Sequence, residues 1–425
     1  MSNPPKRIAI IGSGISGLTC GYLLHKNHQI TLFEANDYIG GHTHTVDVKV
    51  HSETQAIDTG FIVFNDWTYP NFIKLMAQLG VASQPTEMSF SVKNTAENLE
   101  YNGNNLNTLF AQRSNLFNPT FLRMINDIVR FNKACKKPEL QKQAGDTTLW
   151  QFIETQGYGD SFAYNYILPM CAAIWSTSIE DIKAFPLKFF LQFFNNHGLL
   201  NITDRPQWFT LIGGSRSYIA PITKGFFDCI HLNSAVTHVE RTEQGILIRT
   251  NNEQHNDMYF DEVIFACHSV QALRMLANPS QAQQDILGAI KYASNEVVLH
   301  RDTDVLPERK LAWASWNYAI KDIESDRQRP ATVTYNMNIL QRLRAYYTYC
   351  VTLNDSDAIA ADKHIQTFNY AHPQFNQQSM LAQQRRDEIC GKAGFHFCGA
   401  YWYNGFHEDG VRSALDVCDR FGARL

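Results

Sequence analysis

The sequence predicts a protein of the α/β class, with a parallel sheet and a second, interleaved domain. Three observations carry that expectation. Residues 7–11 (RIAII) read as a short buried strand that runs into Gly12-Ser13-Gly14-Ile15-Ser16-Gly17. A helical segment from Leu18 to His25 follows, then a second strand, Gln29 to Phe33, that ends on Glu34. A length of 425 residues exceeds what one small core organises and suits two domains, or one large domain with an insertion. From about residue 85 the texture changes: the Asn-rich turn Asn102-Gly103-Asn104-Asn105 leads into a largely helical region extending to about 200, and strand-like segments resume near residue 205.

The opening stretch has the order that dinucleotide recognition needs: strand, G-x-G-x-x-G, helix, strand, acidic residue. Gly12 permits the tight turn, Gly14 lets the backbone approach a pyrophosphate, and Gly17 lets the helix pack close to the strand. Ser13, Ile15 and Ser16 complete the turn, and the helix N-terminus offers unpaired N–H groups to the phosphates. Glu34, followed by Ala35, is placed to accept hydrogen bonds from both ribose hydroxyls. The first domain is therefore of the Rossmann type.

Composition narrows the partners. Charged residues make up 18%, aromatic residues 12%, and the formal net charge is −4, so nothing suggests nucleic acid. An aromatic-rich, charge-poor chain fits a large apolar cavity or a large core. The nine cysteines are scattered without any C-x-x-C and read as reduced thiols. MSNPPKR leads directly into the first strand, and no apolar run approaches the ~18 residues of a membrane span. The expected location is cytoplasmic, with peripheral contact to the inner face of the membrane left open.

After Glu34 come Gly40, Gly41, His42 and Thr43, then His44. An acidic residue closing the second strand, followed by Gly-Gly-basic and a Thr, resembles the second signature of the flavin amine oxidase and phytoene desaturase superfamily. His42 stands where that signature usually has Arg. Two histidines at i, i+2 without a nearby Cys or carboxylate partner do not make a metal pair, and no metal is expected. Asp58-Thr59-Gly60-Phe61 resembles the family's loop against the flavin ring, and Trp208 to Ser215 its return segment. The residue equivalent to Val236 pairs its backbone with adenine in that family. Gly399-Ala400, then Phe406-His407-Glu408 and Val411, resemble the third signature, where the last helix turns its N–H groups to the flavin N1–C2=O edge.

The resemblance implies one FAD in a glutathione-reductase-like domain. No second nicotinamide-type fingerprint follows, and no Cys stands where a covalent flavin link would form, so non-covalent binding is expected. The FAD domain is expected from residues 1–85, 205–275 and 386–425. The substrate domain, α+β with a mixed sheet plus helices, is expected from 86–204 and 276–385.

Two helical stretches of the middle region stand out. Residues 117–131 place Phe121, Leu122, Ile125, Ile128 and Val129 on one face, amid Arg113, Arg123, Arg130, Lys133, Lys136 and Lys137. Such a stretch is a core helix with a solvated charged face or a basic amphipathic helix resting on anionic lipid. Phe185, Phe189, Phe190, Phe193 and Phe194 share a face that either packs a core or lines an apolar tunnel.

Tyr166 to Ser176, Asn196 to Leu200 and Trp402 to Glu408, with Gly41-His42-Thr43-His44, resemble a bacterial family of FAD-binding oxidoreductases. Its members are similar to polyunsaturated fatty acid isomerases and to the desaturase of furan-fatty-acid biosynthesis. The family implies hydride transfer from an apolar, fatty acyl substrate, ending in desaturation or double-bond isomerisation. An amine oxidase would carry a Lys in the strand Asn295 to Leu299, which has none, and a Tyr where Phe406 stands. An amine oxidase-like enzyme and a flavoprotein using FAD structurally stay open as alternatives. The candidate proton-handling groups are His197, His44 and His407, with Trp175, Trp402, Tyr403 and Phe406 as walls of the substrate site.

Overall fold

The computed structural model describes residues 4–50, 53–321 and 325–425. A five-stranded parallel sheet takes the order Ile230–His231, Gln29–Phe33, Arg7–Ile11, Glu262–Phe265 and Phe395–Phe397. Its central strand is a continuous apolar run because both faces are covered, by the helix Ile15–Leu24 and by the three-stranded sheet of Val236–Thr242, Gly245–Thr250 and Met258–Phe260, and Ile8, Ala9 and Ile10 are fully buried. The helices Ile15–Leu24 and His407–Asp419 pack on each other against it. All the strands end at one edge. That edge brings together the glycine turn after Ile11, Glu34 after Phe33, Ala266 to His268 after Phe265, and Gly399 beyond Phe397.

A second sheet has seven strands, in the order His364–Pro373, Tyr292–His300, Cys350–Leu353, Val333–Asn336, Trp316–Ile320, Phe90–Asn94 and Leu99–Asn102. Only the Trp316–Ile320 and Phe90–Asn94 pair runs parallel. On one face Val92, Tyr318 and Val333 pack against the helices of the middle region, while Val297, Leu299 and Val351 pack with Val48 and Ile57 of the first domain. The opposite face carries a buried polar row. Ser91 Oγ donates to Asn317 Oδ1 at 2.8 Å, Thr334 and Thr352 hydroxyls bond at 2.8 Å, and His300 Nε2 meets Thr352 Oγ1 at 2.7 Å.

Three expectations change. Residues 86–204 do not only cover the second sheet with helices: Phe90–Asn94 and Leu99–Asn102 form a hairpin that extends it, and the helices start at Leu106, after the Asn-rich turn. Residues 276–385 do not all belong with that sheet. Ile286, Leu287 and Ala382, on the helices Gln281–Ala289 and Gln377–Gln384, join the core of the parallel sheet. In the helix Pro119–Cys135 the buried face is Phe121, Met124, Phe131 and Cys135, whereas Leu122 and Val129 face outward. Asp127 confused the pattern: it is buried inside that face, where it accepts from Gly159 N and Arg130 Nη1.

Candidate active site

The glycine turn shows why its residue types are needed. Gly12 takes φ +105°, and a Cβ there would lie 2.7 Å from the Ala266 carbonyl oxygen. A Cβ on Gly14 would meet no heavy atom within 4 Å, so that glycine leaves space open for something other than protein. Gly41 lies across from it, near enough that its own Cβ would sit 3.2 Å from Gly14 Cα. Ser13 Oγ accepts from Gly40 N at 3.1 Å and fixes the two loops against each other. The helix starting at Ile15 and the one starting at His407 converge here, joined by Ser16 Oγ donating to Gly410 O at 2.9 Å, with Val411 fully buried behind. Two helix N-termini and two facing glycine loops suit a pyrophosphate.

Glu34 is buried at the end of its strand. Its carboxylate accepts from Ser13 N at 2.9 Å, Ser13 Oγ at 2.6 Å and Asn36 N at 2.9 Å. Of about four acceptor positions on a carboxylate, three are thus occupied by protein donors. Room for one ribose hydroxyl remains, rather than for the two that the sequence pattern suggested. Ala35 follows it on the exposed side, and Val236 is buried on the adjoining hairpin Val236–Thr242 and Gly245–Thr250.

Beyond the pyrophosphate end the structure gathers imidazoles. His42 Nε2 is buried with no hydrogen-bond partner in the protein, an orphan that a bound cofactor would satisfy. Around it stand His372 and Tyr370, with ring centroids 5.4 and 5.3 Å away, and His268 at 6.3 Å. Asn295 Nδ2 donates to His372 Nδ1 at 3.2 Å, so His372 carries its proton on Nε2. Burial, with His42 and His268 beside it, pushes His372 down to about 3; burial likewise takes His268 to about 4. All three rings are neutral at physiological pH. Sequence reasoning missed His268, His372 and Asn295. A signal existed: Asn295 sits on the strand searched for a lysine, and His372 lies on its antiparallel neighbour. Lys291 is exposed, outside this cluster.

His407 opens the last helix with its ring flat on Phe61, centroids 3.7 Å apart, and its Nε2 on Tyr218 OH at 2.9 Å. Thr43 Oγ1 bonds the same tyrosine hydroxyl. Burial lowers His407 to about 3, which leaves it a neutral positioning group rather than a proton store. His44 Nδ1 bonds Tyr370 OH at 2.8 Å and stacks on Tyr38, so its partners too are protein groups. Gly60 and Phe61 follow in the loop held by Asp58. That carboxylate accepts from Thr45, Ser215 and Gln341, while burial raises it to about 6. Glu408 accepts from Asn71 and Phe72 backbone N–H groups, capping the helix Pro70–Leu79, so its side chain faces away from a cofactor.

His197 has a different setting. Its Nδ1 lies 3.0 Å from Phe193 O, so Nδ1 carries the hydrogen and Nε2 keeps a lone pair. The ring stacks on Phe193 at 4.0 Å and leans on Phe406 at 5.7 Å, and burial holds it down at about 4. Phe406 belongs to both the parallel-sheet core and the helical core and joins them. Trp175, Phe189, Phe193 and Phe375 continue the aromatic wall, with Trp175 Nε1 buried and unpartnered. Two expected walls face elsewhere. Trp402 is buried in the parallel-sheet core under the Arg386 guanidinium. Tyr403 OH donates to Asp416 Oδ2 at 2.6 Å and lines an outer groove with Lys74 and Arg420. The cause is the tight 399–405 turn: Ala400 O accepts from Tyr403 N and Gly405 N, which rotates residues 401–403 away from Phe406. Gly399 and Ala400 remain at the sheet edge.

A family model described as flavin containing amine oxidoreductase matches residues 15–312. The flavin-containing amine oxidase B of Sus scrofa is 22% identical over 283 residues, 64% of this chain and 52% of that protein. The chain thus spans about half the length of the curated relative it matches. Solved structures with the same fold include a redesigned putrescine oxidase, at 15% identity and TM-score 0.68, covering 98% of this chain and 99% of that one. Cyclohexylamine oxidase from Brevibacterium oxydans gives 14% and 0.66, over 98% and 99%. A CLA-producing fatty acid isomerase from P. acnes gives 14% and 0.63, over 98% of each chain.

Proposed function

Because the chain belongs to the flavin-containing amine oxidoreductase family and is an FAD-dependent oxidoreductase, we propose that its substrate is an unsaturated fatty acyl chain, which it desaturates or isomerises. The observation that carries this reading is the apolar aromatic wall of Trp175, Phe189, Phe193, Phe375 and Phe406, with the His197 imidazole stacked against it. None of these side chains bears a charge at neutral pH. An ammonium substrate would find no carboxylate among them, and the strand Tyr292–His300 has no lysine.

A bound flavin would supply the hydride acceptor for a carbon beside a double bond. The chain's own residues do the rest. The aromatic rings exclude water and orient an acyl chain across Phe406. His197 Nε2 accepts the proton from the neighbouring carbon. Loss of hydride and proton from adjacent carbons would make a double bond and would need an acceptor such as oxygen to take the two electrons from the flavin; return of the hydride to the far end of the allylic system, with no proton lost, would move one. Gly14, Gly41 and His42 would hold the cofactor's phosphates, and His407 and Phe61 would fix the edge of its ring, without a covalent bond.

Anaerobic mixing of the yellow protein with linoleate, or with a phospholipid bearing it, tests the reading. Bleaching of the flavin by the lipid and not by putrescine, cyclohexylamine or benzylamine is expected. Amine oxidation is favoured by the family match itself, and bleaching by amines alone would establish it instead. No reduction by either class would leave the flavin a structural group.

A further inference from the structure

We propose that the outer face of residues 106–137 is a docking surface for an anionic lipid bilayer. Phe117 is 87% exposed and Leu106 76%, the first being the most exposed large apolar side chain among the described residues. Leu116, Leu122 and Val129, 44 to 47% exposed, continue the same patch. These side chains are not frayed ends of a core. The helix Pro119–Cys135 already has its buried face in Phe121, Met124, Phe131 and Cys135, and Leu122 and Val129, two turns apart, form a second stripe on the outside.

The patch is held rigid. Asn118 Oδ1 accepts from Thr120 N and Phe121 N and caps the helix. Arg113 reaches back to Asn107 O and Phe110 O, so the turn carrying Leu116 and Phe117 is tied to the short helix Leu106–Leu109. Cations flank it: Arg123, Arg130, Lys133, Lys136 and Lys137 are all exposed. The carboxylates nearby are Glu139, the exposed Asp160 on the adjoining helical turn Asp160–Phe162, and the buried Asp127, which pairs with both Arg123 and Arg130 and accepts from Gly159 N. Among the described residues, the cations left without a carboxylate partner there are thus Lys133, Lys136 and Lys137. In a chain of net charge −4 this is a local excess of positive charge beside exposed apolar side chains. Apolar groups that enter the acyl boundary while neighbouring cations meet lipid phosphates are the make-up of an interfacial helix.

The surface lies one helix from the aromatic wall beside His197. Phe131, on the buried side of Pro119–Cys135, packs at 5.7 Å on Phe190, whose helix Leu187–Asn196 also carries Phe193 and leads to His197. Membrane docking stands without the substrate reading. The short route from the bilayer to the aromatic wall rests on it.

Flotation of the full-length flavoprotein with vesicles tests the surface. Vesicles of phosphatidylcholine mixed equally with phosphatidylglycerol should carry the protein at low salt, and phosphatidylcholine alone should carry much less. Each of Arg123→Gln, Lys133→Gln and Lys136→Gln should weaken binding by about fivefold. The double variant Leu106→Ser, Phe117→Ser should abolish the binding that survives in high salt, with the flavin spectrum unchanged. No flotation on anionic vesicles at low salt would overturn the proposal, as would flotation that neither set of variants reduces. So would a dimer that the double variant converts to monomer without any vesicle binding, since the face would then join two copies of the chain. Flotation without lipid turnover keeps the docking surface and removes the acyl substrate; turnover without flotation does the reverse.

Discussion

At the scale of single residues, the two glycines of the opening turn answer different questions. Gly12→Ala places a Cβ 2.7 Å from Ala266 O at φ +105°, so the variant should lose much of its folded yield. Gly14→Ala meets nothing within 4 Å and should fold with an unchanged circular dichroism spectrum and melting temperature in the absence of flavin. It should nevertheless purify largely colourless, because the methyl occupies space facing Gly41. A yellow Gly14→Ala protein with wild-type flavin content would remove the cradle from that place. His197 yields a second test. With its imidazole held down at about 4, the acid limb of kcat/KM should lie near pH 4 instead of near the ordinary 6.5. His197→Ala should lower kcat/KM by about 100-fold and take that limb with it; an unchanged profile would give the proton to another group.

At the scale of elements, the polar row on the outer face of the seven-stranded sheet links stability to pH. His300 Nδ1 accepts from Asp302 N at 3.0 Å, so Nε2 donates to Thr352, which in turn bonds Thr334. Burial pushes His300 down to about 4. Between that value and the ordinary 6.5 the unfolded chain binds the extra proton and the folded chain does not. The contribution of His300 is therefore full above 6.5 and lost as pH falls toward 4. Asp58, raised by burial to about 6, has the opposite sign, stabilising below 3.8 and losing that as pH rises through 6. Asp409, raised by burial to about 7, shares the sign of Asp58. His197, His268, His372 and His407 share the direction of His300, so the imidazoles outweigh the two carboxyls and the melting temperature should drop on acidification from pH 6.5 to 4. Thr352→Val should cost about 1–3 kcal/mol by chemical denaturation at pH 7, since it strands a buried imidazole N–H. None of this row was legible in the sequence, where Ser91, Thr334 and Thr352 are isolated polar residues in separate strands. The parallel-sheet elements were legible because their signals are local: Gly12 to Gly17 and Glu34 lie within one strand-turn-helix-strand unit. Trp402 and Tyr403 were misread because the direction of a side chain in the tight turn 399–405 depends on carbonyl contacts that residue order does not encode.

At the scale of the molecule, the candidate site is assembled from segments that share no local contact in sequence. The glycine turn, the Gly41-His42 loop, Asn295, His372 and the start of the last helix converge from five segments of the chain. The parallel-sheet core and the helical core meet through Phe406, beside His197. A group that fills the space between those segments and satisfies His42 Nε2 would bind the folded chain and not the unfolded one, so it must stabilise by mass action. At a hundredfold excess over Kd that amounts to about 2.7 kcal/mol, and for a chain of this size to a melting temperature raised by several degrees. Stripping the flavin should therefore lower the melting temperature, and adding FAD should restore it in proportion to the logarithm of its concentration. Amide exchange should locate the effect, with residues 40–43, 58–61 and 399–411 losing protection in the stripped protein while the strand Arg7–Ile11 keeps its own. An equal melting temperature and an equal exchange pattern with and without FAD would mean that FAD does not bind the folded chain at this place, and the orphaned His42 nitrogen would then need a different partner.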